Sequence, residues 1–272
     1  MSARGHDKRF NTSEAKPTSR PVKSKDGVES DESELLDLLV TGQSLSSNQL
    51  KDLVCKIDTH DVIAKVFILE GTPYVFEQSP MKYMIFREQV AERFDVGYQD
   101  ICIVGSAKLG FSPSAHKFGT IFAESSDVDV VIISEAMFDQ GTQALFKHLN
   151  TVGPLVPKNG SARNHDSSTP MVKPSDWKSM KEAVRNYTYQ NFNPALLPSS
   201  SDLKMDIFQK IGSTAPLFLA LEPKVFVSKI RCRFFRNWRA AEGYYSNSLR
   251  QLAYKLRGEA GEIDEHFDDD EG

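Results

Sequence analysis

Apolar positions recur at helical spacing near the start of the chain, where Leu35, Leu36, Leu38 and Leu39 are followed by Leu50, Leu53, Val54 and Ile57. This pattern predicts a helical hairpin. Ser79 before Pro80 marks a helix start, and Met81, Met84, Ile85, Val90 and Phe94 supply its apolar stripe. Strands are predicted at Asp100–Val104, Asp127–Ile133, Leu203–Gln209 and Val225–Phe235. Helices are predicted at Glu135–Leu149, Asp176–Tyr189 and Trp238–Leu256. Helices interleaved with short strands predict an α/β or α+β fold, a small mixed sheet flanked by helices.

The segment 151–174 is rich in Pro, Gly, Ser and Asn and reads as a long loop, either a lid or an insertion. Residues 1–30 carry scattered cations among small polar residues and read as a disordered tail. Residues 258–272 form an acidic, self-repelling tail. Between the tails, 31–95 is read as N-terminal helices and 96–257 as the domain that carries the chemistry.

The chain has 272 residues and a formal net charge of -4, which by itself argues against a nucleic-acid coat. The acidic tail holds much of that negative charge, so the folded middle is less acidic than the total. Cys55, Cys102 and Cys232 are odd in number and widely spaced, which argues against a disulfide framework or a zinc site and for a reducing, cytoplasmic setting. No segment reads as a secretory leader or a membrane span. The densest apolar run, Val128–Ile133, encloses Asp129, a carboxylate where burial is costly.

Asp127 and Asp129 lie two apart in a strand and therefore share a face. Two neighbouring carboxylates repel each other unless they share a cation, and Mg²⁺, or Mn²⁺ in its place, takes hard oxygen ligands of this kind together with substrate phosphates. Gly105-Ser106 follows the preceding apolar strand. Glycine lets a backbone approach closely, and serine with the next N–H groups can donate to phosphate oxygens. Lys108, two residues further on, is either a third phosphate contact or an exposed lysine. Cys102 reads as a core residue.

Gly-Ser after a strand, then Ser-Asp-x-Asp opening an apolar strand, resembles the nucleotidyltransferase superfamily, which has a DNA polymerase β-like fold. The resemblance covers residues 102–133 and has one departure: Ala107–Ser126, carrying Phe111, Phe118 and Phe122, separates the two motifs by more than the family usually allows. It implies that Gly105 and Ser106 hold phosphate and that Asp127 and Asp129 bind Mg²⁺ or Mn²⁺. It also implies a third carboxylate on a neighbouring strand, for which Asp206 is the candidate metal ligand and base, with Asp202 as the alternate. The implied activity is transfer of a nucleoside monophosphate from an NTP, ATP first among them, to a hydroxyl acceptor on a protein, an RNA or a nucleotide. The alternatives are a cyclic or linear oligonucleotide synthase of anti-phage signalling, and a non-catalytic nucleotide- or nucleic-acid-binding subunit or antitoxin.

Lys229, Arg231 and Arg233 alternate with Ile230, Cys232 and Phe234, which gives one cationic strand face. That face could hold a triphosphate or contact a nucleic-acid backbone, with Trp238, Tyr244 or Tyr245 stacking on a base. It could equally be a charge-protected edge strand, or could pair with the acidic tail.

Overall fold

The computed structural model describes residues 29–42, 44–152, 174–221 and 229–258. Almost all of the predicted N-terminal tail, nearly all of the 151–174 loop, the start of the Val225–Phe235 strand and the acidic tail beyond Gly258 lie outside the described residues.

The chain begins with α1 (Glu29–Thr41) and α2 (Ser47–Lys56). Ser46 and Gln49 close α2 with a reciprocal capping box that satisfies two helix-end donors. A single turn, α3 (His60–Ile63), runs into a π-helical turn at Ala64–Leu69. Next comes α4 (Pro80–Phe94), with Pro80 in its first turn as the sequence predicts. Then follow β1 (Ile101–Val104), α5 (Ser106–Leu109), β2 (Val128–Ile133), α6 (Glu135–Val152), α7 (Pro174–Thr188) and β3 (Asn191–Phe192). The chain continues with α8 (Asp202–Gly212), α9 (Thr214–Leu221), β4 (Ile230–Phe235) and α10 (Trp238–Arg257).

The four strands form one mixed sheet in the order β1-β2-β4-β3. β1 pairs antiparallel with β2, β2 parallel with β4, and β4 antiparallel with β3. The expected small mixed sheet flanked by helices is therefore the observed fold class.

Period-two alternation sends each strand's residues to two separate cores. Ile101, Ile103, Val130, Ile132 and Phe234 face α4, α6, α8 and α9. On that side Phe76, Phe86 and Phe218 interlock with ring centroids 5.0–5.8 Å apart, locking α9 to α4. Cys102, Val104, Val131, Ile133 and Phe235 face the other way, against α2, α3, the π-helical turn and α10. Cys102 is buried in this second core, as expected of a core thiol. The edge strand β1 is shielded by Tyr83, whose hydroxyl accepts a 3.3 Å hydrogen bond from the Ile103 N–H.

One expectation is corrected, and one of the alternatives for the basic strand is set aside. The predicted strand Leu203–Gln209 is helix α8. Its alternation of apolar and polar residues coincides with a helical spacing that buries Ile207 and Ile211, and the Ser201 side chain caps the helix by accepting from the Lys204 N–H at 3.3 Å. Lys204 and Asp206 therefore do not share a strand face. The basic strand β4 is also not an edge: it lies between β2 and β3.

Candidate functional site

The antiparallel pairing of β1 with β2 sets Val104 opposite Asp129, so the chain leaves β1 at Gly105 directly beside that carboxylate. Gly105 has φ +69° and ψ -146°. A β-carbon at this position would stand 3.1 Å from Asp129 Oδ2. Glycine is required here twice over, by the backbone conformation and by the close approach. Ser106 follows in the single turn of α5.

The parallel pairing of β2 with β4 sets Arg231 opposite Asp129 and Arg233 opposite Val131. Arg231 Nη2 lies 2.6 Å from Asp127 Oδ2, with 24% and 20% of the two side chains exposed. At this depth the pair is only partly screened by solvent, and removing one member would strand the other's charge. Arg233 Nη1 donates to the Asn191 side-chain carbonyl at 3.3 Å and to the Tyr244 hydroxyl at 3.0 Å. Its guanidinium carbon is 5.0 Å from the Tyr244 ring centroid. Tyr245 packs alongside, partly buried, and desolvation, followed by the neighbouring Tyr244, pushes its hydroxyl well above the ordinary tyrosine range.

Gly105, Ser106, Asp129, Arg231, Arg233, Tyr244 and Tyr245 line a cleft of about 240 Å³, with Asp127 and Asn191 behind the two arginines. Its floor is Gly105, Ser106, Asp129, Arg231 and Arg233; Tyr244, Tyr245 and Ser248 of α10 form one wall. Ser112–Ser114, Pro194, Ala195 and Phe208 contribute further wall, and Lys229 also lines the cleft. The long separation between the two motifs is accommodated by a compact excursion. Phe111 bridges to Ile121, the Ser112 N–H donates to the Thr120 carbonyl at 2.8 Å, and Phe111 packs edge-on against Phe118. The excursion thereby contributes part of the cleft wall.

Of the residues singled out in the sequence, Gly105, Ser106, Asp127, Asp129, Arg231 and Arg233 come together. Asp206 does not join them. It lies on α8, where its half-exposed carboxylate pairs with Lys210 Nζ at 2.8 Å, one helical turn on. Lys108 also turns elsewhere: it is 8% exposed, and its Nζ donates to the Glu70 carbonyl. Burial lowers the Lys108 ammonium to about 8, with Cys102 and Glu70 opposing the shift. The contribution of Asn191, Asn193 and Pro194 was missed, because β3 is two residues long and has no periodicity to read.

The donors present do not fit the two-ion centre implied by the resemblance. Asp127 holds a guanidinium, the position across the sheet from Asp129 is Arg231 rather than a carboxylate, and Asp206 belongs to another surface. Among the described residues no three His, Cys, Asp or Glu side chains gather where they could hold a metal ion. No family model, curated protein or solved structure matches the chain. No helix among the described residues is long and apolar enough to cross a membrane.

Proposed function

We propose that this cleft binds a nucleoside triphosphate, ATP first among the candidates, and that the chain transfers its nucleoside monophosphate to a hydroxyl acceptor. The observation that carries the reading is the contact between the Gly105 turn and Asp129, 3.1 Å from the absent β-carbon, beside two inward-facing arginines. A side-chain-free turn next to a carboxylate and a cationic floor suits a phosphate chain with an acceptor hydroxyl alongside it.

In the transfer, the acceptor oxygen attacks the α-phosphorus, the bond to the β-phosphate's bridging oxygen breaks, and pyrophosphate leaves. Asp129 takes the acceptor's proton, a general-base contribution of roughly 10²–10⁴-fold. Arg231 and Arg233 offset the charge that spreads over the phosphate oxygens in a cleft with apolar walls. Asp127 positions Arg231. Because the carboxylates do not fit a pair of Mg²⁺ or Mn²⁺ ions, no step is assigned to a metal.

The test is incubation with an α-phosphate-labelled NTP, with Mg²⁺, with Mn²⁺ and with neither, in the presence of protein and RNA acceptors. Label should move to an acceptor with release of pyrophosphate. Asp127→Ala combined with Asp129→Ala should lower the rate by at least about 100-fold. Undiminished transfer by the folded double variant would overturn the assignment. Soluble oligonucleotides formed without an acceptor would make the chain a synthase instead.

One observation favours a second reading. Arg231 pairs with Asp127, the carboxylate that the resemblance makes a metal ligand, and this suits a subunit that binds nucleotide without turning it over. Nucleotide binding with no pyrophosphate released under any metal condition would select it.

A further inference from the structure

Lys229, Arg231 and Arg233 bring positive charge to this cleft. Arg231 stands across the sheet from Asp129, and its Nη2 is 2.6 Å from Asp127 Oδ2, both side chains being three-quarters or more covered. A divalent ion taking Asp127 Oδ2 would have to displace that guanidinium, and the displaced charge, being fixed to an interior strand, would remain beside the ion. Arg233, on the same face of β4, is held in place by Asn191 and Tyr244. The backbone positions of Arg231 and Arg233 are separated by roughly 7 Å along the strand, and the two guanidinium groups are held by different partners, Arg231 by Asp127 and Arg233 by Asn191 and Tyr244, so they can meet different phosphates of one chain. A guanidinium is a planar fork of five donors that matches phosphate oxygens bidentately and never loses its charge. Pro113, Pro194 and Phe208 add apolar surface to the walls, and apolar surroundings strengthen such contacts.

We infer that Arg231 supplies the site's cation, so that the cleft takes up the polyphosphate chain of a nucleotide without a divalent ion. The inference rests on the nucleotide reading above and assigns Asp127 to Arg231 rather than to a metal. Arg231 is thus a binding residue for phosphate and Asp127 a positioning residue.

Calorimetric titration of the full chain with ATP, AMP and inorganic tripolyphosphate, each in EDTA and in excess Mg²⁺, tests it. ATP should bind in EDTA with an affinity within about threefold of that in Mg²⁺, and AMP at least about tenfold more weakly. Arg231→Gln should weaken ATP binding in EDTA by at least about tenfold, the scale of one lost charge-assisted hydrogen bond, with Arg231→Lys recovering part of the loss. Because Arg231→Gln strands the Asp127 charge, the neutral double variant Asp127→Asn with Arg231→Gln is measured too and should be weakened equally. Asp127→Asn alone, which loosens Arg231 but keeps its charge, should weaken binding in EDTA less than Arg231→Gln does.

ATP binding that requires Mg²⁺ and falls further in Asp127→Asn than in Arg231→Gln would overturn the inference while leaving the nucleotide reading intact. No ATP binding under any condition would overturn both. Tripolyphosphate binding as tightly as ATP would sustain the arginine assignment and remove the nucleoside from the functional reading.

Discussion

Gly105 has φ +69° and ψ -146°, with Asp129 Oδ2 3.1 Å from the place of a β-carbon. That backbone region is nearly reserved for glycine and costs other residues about 1–3 kcal/mol. Gly105→Ala is expected to lose that much stability in urea unfolding and to push the Asp129 carboxylate out of the cleft, weakening ATP binding beyond what partial unfolding accounts for. An unchanged midpoint together with unchanged affinity would mean that the turn can relax and that glycine is not needed there. Gly105, Ser106, Asp127 and Asp129 were legible because their chemistry is local: a strand end, a turn, and two carboxylates at period two. Lys108 was not legible in the same way. It is two residues from Ser106, but what decides its direction is the Glu70 carbonyl, 38 positions earlier, which comes alongside only through tertiary packing.

The same division between local and distant causes separates the elements. β1, β2 and β4 were readable because each has a strong two-fold alternation or an unbroken apolar run. That β4 lies inside the sheet was not readable, since its charges suit an exposed edge as well as a cleft floor, and only pairing on both sides decides between them. In α8, Leu203–Phe208 alternates like a strand, while Ser201 as a cap, Asp202 in the first turn and Lys210 in the last turn specify a helix. The cap was the overlooked signal. The consequence for function is concrete: Asp206 faces Lys210 across one helical turn on a half-exposed surface. Asp206→Ala should therefore leave nucleotide affinity and turnover within about twofold of the parent. An exposed pair of this type contributes about 0.3–0.5 kcal/mol, so the stability change should be of that size. A loss of turnover of 100-fold or more in a folded Asp206→Ala variant would return this residue to the site and overturn its assignment to the outer surface.

At the scale of the whole molecule the sheet is covered on both faces, and its burial of ionisable groups makes stability depend on pH in a way that can be worked out. Lys108 is depressed to about 8, chiefly by burial, whereas the unfolded chain keeps that proton up to the ordinary lysine value of 10.5. Between these limits the unfolded state binds more protons, so stability rises with pH. Lys204, also lowered by burial, acts in the same direction. Cys102 and Cys232 are pushed up by burial from 9.0 to about 12, so the folded state holds protons that the unfolded state releases, and stability falls as pH passes 9. Tyr83 and Tyr245, both raised by burial, add to the fall above 10. The opposing slopes predict a rise in unfolding free energy from about pH 8 to 9, then a decline that steepens above 10. Urea unfolding of the parent and of Lys108→Met across pH 7.5–11 measures this. The variant should lose most of the rise while keeping the decline, since the thiols and phenols that cause the decline are untouched. A rise of undiminished size in Lys108→Met would show that the Lys108 ammonium is not held uncharged in the fold, and that the packing of α5 against the Glu70 carbonyl leaves it open to water.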